Sequence, residues 1–432
     1  MKKILIITLL LLSWAWAQEP KARSGTFALT NATLVTVTDG TIENGTLLIQ
    51  DGKIAALGTD VDVPADAETI DCEGLYVYPG LIDGGNHLGL FEVGSISLTQ
   101  DYREIGDVTP QAKALTAINP NSVIIPTTRN NGITTGLAKP EGGLLPGTAA
   151  LVNYHGYTPQ QMFLGFEAPT LNFPSGARRG RWDRRSDEDI EKARKKALKE
   201  LEQVWEKLAQ YHRIDSLAQL GEAQAGDYYP EMDALLPVYR GEQKLLIEVN
   251  ATADIEAAIE WVAEHEVDAI FTGVSEGWRV AEALAESGIP VITGPVMSMP
   301  TRAYDRYDRP YSNPALMHEA GVTVAIRSNG EGGNRYSRNL PFEAGFAAAY
   351  GMGKEEALKA VTIVPAEIFG VADQLGSLSE GKLANLIITD GDPFETRTQV
   401  MHVFIGGYLM PRSDRQIRLY EEFLERDPGA GR

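Results

Sequence analysis

The sequence contains a single cysteine, Cys72, so no intramolecular disulfide can form and a disulfide-stapled scaffold is excluded. Basic residues are also scarce, because 39 Lys and Arg stand against 59 Asp and Glu and give a net charge of −20. A chain this acidic repels nucleic acids and anionic membranes, so we expect neither as a partner. Its 432 residues, 43% of them hydrophobic, suffice to bury a large core without covalent staples.

Long apolar runs are missing except near the N-terminus. A mostly apolar run at 4–12 follows Lys2 and Lys3 and is followed by an Ala-Trp-Ala site at 15–17. The run is shorter than the ~20 residues that span a bilayer. The pattern predicts a signal peptide over 1–17 and a periplasmic or secreted mature chain from Gln18, which makes no membrane contact after cleavage. The alternative is an N-terminal membrane anchor.

Alternating apolar residues mark the two ends of the mature chain. An Asp51-Gly52 pair between two such runs predicts a β-hairpin within 18–78. Further strands are predicted near 383–388 and 400–409, in a C-terminal part that covers 371–432. We therefore expect one composite β-sandwich built from both termini.

Short apolar runs alternate with amphipathic stretches across 79–370. Examples of the apolar runs are 133–138, 149–153, 245–249 and 269–272. Buried strands alternating with helices predict βα units and a parallel sheet, and their number fits one TIM-like (β/α)8 barrel in an α/β chain. The charge-dense stretch 178–217 is predicted to be a solvated helical insertion, with a docking arm as the alternative.

Several segments resemble the amidohydrolase superfamily, in particular its imidazolonepropionase-like metal-dependent hydrolases. Residues 79–87 read Pro-Gly-Leu-Ile-Asp-Gly-Gly-Asn-His, similar to the family's first barrel strand, Pro-Gly-Leu-Ile-Asp-x-His-x-His. Residues 357–366 and 376–393 are similar to the family's last barrel helix and its usual ending. The resemblance implies a barrel, a flanking β-sandwich and a metal site at the carboxyl ends of the strands.

The resemblance also implies which residues would bind the metal. The two histidine positions of the first strand fall on Gly85 and His87, and the next two ligand positions on Asn250 and Gly273. The aspartate of the last strand, a ligand or base in the family, falls on Asn329, or on the neighbouring Ser328. Glycine has no donor atom and an amide oxygen is a poor zinc ligand. We therefore expect either no cofactor or a single divalent metal such as zinc on His87.

Other polar residues border the predicted strand ends. Glu248, in an apolar strand, is predicted to pair with an arginine, since buried charges are normally paired, with a role as catalytic base as the alternative. Asn329 is a second catalytic candidate. His155 follows the run 149–153, and a structural role is predicted for it, with a place at the barrel mouth as the alternative. Some relatives carry a modified lysine where Lys139 stands.

Two glycine-rich loops are predicted to contact a ligand. Four residues in them, Lys139, Arg327, Asn334 and Arg335, are ligand-binding candidates for a carboxylate or phosphate. The backbone N–H groups of 139–148 are predicted to face the same cavity. The alternative is that both are ordinary βα loops in which glycine serves turn geometry.

The sequence leaves two functions open. One is an exported hydrolase of C–N bonds in small molecules; the other is a non-catalytic relative that binds a small ligand or a protein partner. A small-molecule ligand or substrate is expected in the first reading, and homo- or hetero-oligomers are compatible with both.

Cleavage after Ala17 is expected when the full chain is produced in an exporting bacterial cell. Intact-mass analysis of the extracytoplasmic fraction should then find a chain that begins at Gln18. A membrane-bound protein that still carries Met1 would identify the segment as an anchor instead.

Overall fold

The fold consists of a barrel and a separate sheet made from both ends of the chain. A computed structural model describes residues 21–92, 94, 96–178, 183–224, 226–328 and 334–426. The predicted signal peptide therefore lies outside the described residues. Across those described ranges, no helix combines the length and the apolar character needed to cross a bilayer.

The separate sheet is the composite unit predicted from the termini. Its strands run in the order β16-β15-β14-β5-β1-β2-β3, with β4 parallel to β1. The two ends of the chain meet where β14 pairs antiparallel with β5. The strands are β1 Phe27–Val35, β2 Thr41–Gln50, β3 Lys53–Gly58, β4 Glu68–Asp71, β5 Tyr76–Pro79, β14 Leu386–Thr389, β15 Val400–Ile405 and β16 Tyr408–Leu409.

The predicted Asp51-Gly52 hairpin joins β2 to β3 and also holds the C-terminal segment. Both turn residues have positive φ, 51° and 79°, as a tight two-residue hairpin requires. The carbonyl of Gly52 accepts a hydrogen bond from the Ala384 N–H at 2.9 Å. Gly407 packs so closely that a Cβ there would lie 2.5 Å from the Cα of Gly52. Glycine at 407 therefore allows the two chain ends to touch.

The middle of the chain forms a nearly closed barrel of eight strands in sequence order. Seven strands run in one direction, and β8 runs antiparallel to both of its neighbours. The strands are β6 Leu81–Asn86, β7 Ile133–Ala138, β8 Gly147–Asn153, β9 Phe163–Asn172, β10 Leu245–Val249, β11 Ala269–Gly273, β12 Val291–Thr293 and β13 Val324–Ile326.

The direction of β8 corrects the expectation of a purely parallel barrel. Only residues 139–146 connect β7 to β8, which is too short for the crossover of a dozen or more residues that parallel neighbours require. His155, which follows β8, therefore lies at the end opposite to the carboxyl ends of the other strands. Its ring is 4.9 Å from that of Tyr408 in the composite sheet, which favours the predicted structural role over a place at the barrel mouth.

A buried carboxylate links the two edge strands of the barrel. Asp83 of β6 accepts hydrogen bonds from Ser328 just after β13, from its backbone N–H at 3.0 Å and from its hydroxyl. The side chain of Asn86 donates a third at 2.9 Å. Asp83 is fully buried, and burial raises its pKa while these donors oppose the rise. The contact fixes the residues that follow β13 against β6.

Helices surround the barrel, and the charged insertion is one of them. The helices are α1 Ala114–Ala117, α2 Ile124–Arg129, α3 Pro159–Met162, α4 Asp187–Gln219, α5 Pro230–Tyr239, α6 Thr252–Glu264, α7 Ala281–Ser287, α8 Arg309–Glu319, α9 Leu340–Ala347, α10 Lys354–Lys359, α11 Ile363–Ile368 and α12 Arg415–Glu425. The predicted insertion is α4, but it is not solvated all round. Its buried Trp205 packs edge-on against Trp261 of α6, with ring centroids 4.8 Å apart.

Candidate functional site

Three charged side chains converge at the carboxyl ends of the parallel barrel strands. Lys139 directly follows β7, Glu248 lies near the end of β10, and Arg327 directly follows β13. Parallel strands in a closed barrel direct their carboxyl ends to the same face, which brings these distant positions together. This face is where barrel enzymes place their chemistry.

Glu248 is the centre of the cluster. Arg327 donates to both of its carboxylate oxygens in a bidentate pair, with both N–O distances at 2.8 Å. Lys139 donates to Oε2 through a short hydrogen bond, and the Thr272 hydroxyl donates to the same oxygen at 2.7 Å. The amide of Asn250 lies 3.2 Å from Oε1. The carboxylate is therefore saturated with donors.

The electrostatics of the cluster favour the charged forms of Glu248 and Arg327. Burial opposes ionisation of Glu248, but Arg327 and Lys139 outweigh it and hold the pKa of the carboxyl well below its usual range. Burial lowers the pKa of Lys139, and Arg327 adds to that effect while Glu248 opposes it. A carboxylate so strongly stabilised as an anion is a poor proton acceptor at neutral pH. The pairing of Glu248 with an arginine is therefore favoured over its use as a base.

His87 lies beside the cluster as a neutral imidazole. Its ring stacks on Tyr102, with centroids 4.3 Å apart and planes 3° from parallel. Its Nε2 atom is 3.4 Å from Oε2 of Glu141. Burial, reinforced by Lys139 and Arg327, lowers the pKa of His87 to about 3. The imidazole stays uncharged across the physiological range.

The two glycines at predicted ligand positions border atoms of the cluster. A Cβ on Gly85 would lie 3.6 Å from Cδ of Arg327, which is an ordinary contact distance. A Cβ on Gly273, whose φ is +85°, would lie 2.5 Å from Oε1 of Glu248 and 2.6 Å from Oδ1 of Asn250. A side chain at Gly273 would therefore compete with Glu248 and Asn250 for space.

The described residues at this face, which leave out 329–333, do not fit a divalent metal centre. A metal ion needs several His or carboxylate ligands, whereas here two cations, Lys139 and Arg327, already surround the one central carboxylate. No group of three or more His, Cys, Asp or Glu that could hold an ion occurs within the described part of the chain. His87 is the one imidazole next to the cluster in that part.

The two predicted ligand loops differ in how much of them is described. The backbone N–H groups of Glu141, Leu144 and Leu145 bond to carbonyls of 102 and 107, at 2.7–2.8 Å. These N–H groups do not face a cavity, because the carbonyls of 102 and 107 accept from them. Asn329 and the side chains of Asn334 and Arg335 lie outside the described residues, so their roles stay predictions.

Most of the site residues inferred from the sequence meet at one place. Lys139, Glu248, Asn250 and Arg327 form one hydrogen-bonded cluster, bordered by Gly85, His87 and Gly273. Two contributors were missed: Thr272, which bonds Glu248, and Tyr102, which stacks on His87. A hydroxyl within the apolar run 269–273 was a usable signal for Thr272. No local pattern marks Tyr102, which lies in a long loop.

The chain belongs to the amidohydrolase family. The model of the amidohydrolase family matches residues 76–410, which covers the whole barrel and the adjoining strands of the composite sheet. This family membership points to hydrolysis of C–N bonds, generally with a metal ion.

Individual relatives agree with the family assignment. An imidazolonepropionase of Shouchella clausii is 26% identical over 87% of this chain and 89% of its own length. The amidohydrolase tasK of Hapsidospora irregularis is 23% identical over 85% of this chain, which spans 39% of that protein. The crystal structure of an amidohydrolase from Thermotoga maritima covers 90% of this chain and 100% of its own with a TM-score of 0.79 at 24% identity. That likeness supports the fold.

Replacing Glu248 with Gln should destabilise the barrel strongly. The change leaves Lys139 and Arg327 buried together without a counter-ion, and breaking such a buried pair costs about 3–5 kcal/mol of unfolding free energy. Urea unfolding at neutral pH measures the loss. Glu141→Gln is the matched control, because that side chain is 34% exposed and should change stability little. Equal stability of Glu248→Gln and the natural protein would contradict the cluster as described.

Placing a methyl group at Gly273 should cost more than placing one at Gly288. Both glycines have positive φ, 85° and 69°, so backbone strain from alanine should lower the unfolding free energy by about 1–2 kcal/mol at either site. Only Gly273 has Glu248 and Asn250 within 3 Å of the added atom, whereas the space around Gly288 is open. We expect an additional loss of about 1–3 kcal/mol for Gly273→Ala in urea unfolding. Equal losses at both sites would show that Glu248 is not held where the structure has it.

Proposed function

We propose that this chain is a non-hydrolytic member of the amidohydrolase family that binds a small anionic molecule at the barrel mouth. The observation that carries the proposal is the bidentate pair of Arg327 with Glu248, beside Lys139, at the strand ends where the family resemblance puts metal ligands. An ion-pair cluster cannot lower the pKa of a bound water as a metal does. The scaffold then serves recognition rather than hydrolysis.

Unused hydrogen-bond donors of the cluster support an anionic ligand. Lys139 and Arg327 are two buried basic side chains that share the carboxylate of Glu248, and the carboxylate of Glu141 also acts on both. A guanidinium has five N–H donors and an ammonium three. Glu248 and the Gly294 carbonyl use three donors of Arg327, and Glu248 uses one of Lys139. Donors therefore remain to bind a carboxylate or phosphate.

The mouth is also open to solvent beside the cluster. Asn250 is exposed and Glu141 is partly exposed, while Lys139 and Arg327 keep 10% and 7% of their side chains accessible. A partly desolvated cation binds an anion more strongly than one in bulk water, because the local dielectric is lower. Small molecules with one carboxylate, such as N-acyl amino acids, match this combination of charge and polar amide.

Calorimetric titration with N-acyl amino acids and their uncharged amides tests the proposal. We expect the carboxylates to bind, the amides to bind at least ~10-fold more weakly, and neither to be hydrolysed. Lys139→Met should weaken carboxylate binding by a similar factor, because it removes one cation and leaves the Arg327–Glu248 pair intact. Lys113→Met, at a surface ion pair with Glu167, is the control and should bind normally. No preference for carboxylate over amide would contradict an anion site.

Metal-dependent hydrolysis of C–N bonds is the second candidate. It is favoured by the family match over residues 76–410 and by His87 at the second histidine position of the first strand. Elemental analysis of the purified protein separates the two functions. One equivalent of zinc that survives dialysis, together with turnover of cyclic imides, dipeptides or N-acyl amino acids, would replace our proposal by this one. Without stoichiometric metal or turnover, the non-hydrolytic function stands.

We also propose that the protein acts in the periplasm or outside the cell. The basic, apolar and Ala-Trp-Ala regions of 1–17 support this location.

A further inference from the structure

A cavity of about 640 Å³ lies between the composite sheet and the helices beside the barrel, and we call it the side cavity. Its walls come from the end of β1 and the turn after it, from β5, from α10 and α11, and from the segment that follows β14. None of its described lining residues belongs to the charged cluster around Glu248. The volume falls within the range of about 300–1,000 Å³ that small-molecule sites occupy.

The side cavity has apolar walls and a polar rim. Its buried and half-buried lining residues are chiefly apolar and include Val35, Leu358, Ile363, Val364 and Phe394. The exposed lining residues are polar or charged, apart from one glycine. Apolar walls offer water few hydrogen-bond partners, so replacing that water with an apolar molecule is favourable.

Tyr78 of β5 brings one unpaired hydroxyl to these walls. The residue lines the side cavity and is 8% exposed, and its hydroxyl has no hydrogen-bond partner in the part of the chain that the structure describes. Burial raises the pKa of Tyr78, and the carboxylate of Asp392, another lining residue, adds to the rise. The phenol therefore stays protonated and can donate at neutral pH. Since buried hydroxyls are normally hydrogen-bonded, an acceptor on a ligand would complete this one.

The turn after β1 holds Val37 in a strained conformation beside the side cavity. Its φ is 77°, in the left-handed region that β-branched residues rarely adopt. The N–H and the hydroxyl of Thr36 donate to the carbonyl of Gly40 at 3.0 and 2.7 Å, and the same hydroxyl accepts the N–H of Asp39 at 2.8 Å. Strained residues persist where such contacts over-determine them, and they cluster at ligand sites.

The charged groups of the side cavity disfavour an anion. Lys354 donates to Asp392 at 2.6 Å, and both residues line the cavity. Lys359 donates to Glu355 at 2.9 Å, so both basic side chains have acidic partners. Glu367 adds a third carboxylate to the described lining. With three acidic and two basic side chains, the lining suits a neutral molecule, unlike the mouth with its two cations.

We propose that the side cavity is a second binding site, which takes a small neutral molecule with an apolar body and one hydrogen-bond acceptor. The apolar body contacts the walls formed by α10 and α11, and a carbonyl or ether oxygen accepts the hydroxyl of Tyr78. A second copy of this chain is a poorer occupant, because the charged rim is unlike the core of a protein interface, where charged residues are depleted.

Fluorescence titration with prodan, a neutral naphthalene that carries one ketone, tests the ligand class. We expect saturable binding with blue-shifted emission. Tyr78→Phe should weaken prodan binding about 3- to 10-fold, as the loss of one neutral hydrogen bond predicts, and should leave binding of the ketone-free dimethylaminonaphthalene unchanged. Urea unfolding of this variant should match the natural protein, because the hydroxyl has no partner to lose. No saturable binding of prodan, or equal losses for the two dyes, would overturn the proposal.

A filled cavity locates the bound dye. Leu358→Trp places a larger side chain in the side cavity and should abolish prodan binding. Ala234→Trp is the matched control, in a separate cavity of about 890 Å³ beside α5, and should bind prodan normally. Urea unfolding checks both variants, and Tyr78→Phe with the two dyes decides the matter if Leu358→Trp does not fold. Loss of binding in Ala234→Trp with retention in Leu358→Trp would contradict the proposal.

Competition separates this site from the one at the barrel mouth. N-acyl amino acids should not displace prodan, whether or not they bind at the mouth, so the two proposals fail independently. Displacement of prodan by these carboxylates would place the dye at the mouth and overturn the second site. A dimer that sedimentation detects and Leu358→Trp dissociates, without any dye binding, would identify a second copy as the occupant instead.

Discussion

The ion pair between Arg327 and Glu248 is the interaction on which the functional face depends. Two charges removed from water are stable only when geometry and further hydrogen bonds compensate for lost hydration. Here the pair is bidentate, and Lys139, Thr272 and Asn250 complete it. Each of these residues is therefore tied to the others, and the set behaves as one unit.

The charged cluster around Glu248 explains the glycines beside it. In a barrel, side chains at neighbouring strand ends share one limited volume, so a long residue on one strand requires short residues on others. Arg327 reaches across from β13 toward Gly85 on β6, and Glu248 occupies the space beside Gly273. The same segment after β13 bonds to Asp83 through Ser328, so closure of the barrel positions the arginine. Scaffold and site thus share their anchoring residues.

The sequence predicted the barrel, the composite sheet and most of the cluster, because each depends on strand ends that local patterns reveal. It missed the direction of β8, because an apolar run shows that a strand is buried but not in which direction it runs. The short connection 139–146 was a cue to that direction. It favoured an arginine partner over a role as base for Glu248, but it did not identify that arginine. The partner depends on which long side chain reaches across the barrel, a contact between residues 79 positions apart.

A glycine at a strand end leaves a volume that neighbouring side chains share. Beside Gly85, the arm of Arg327 lies 3.6 Å from the position of an added Cβ, which is an ordinary contact distance, so the arm borders that volume. Removing either Arg327 or Glu248 alone would leave its partner buried and unpaired, which is costly. The charged cluster is therefore stable at this face only as a set, because each buried charge depends on its partner.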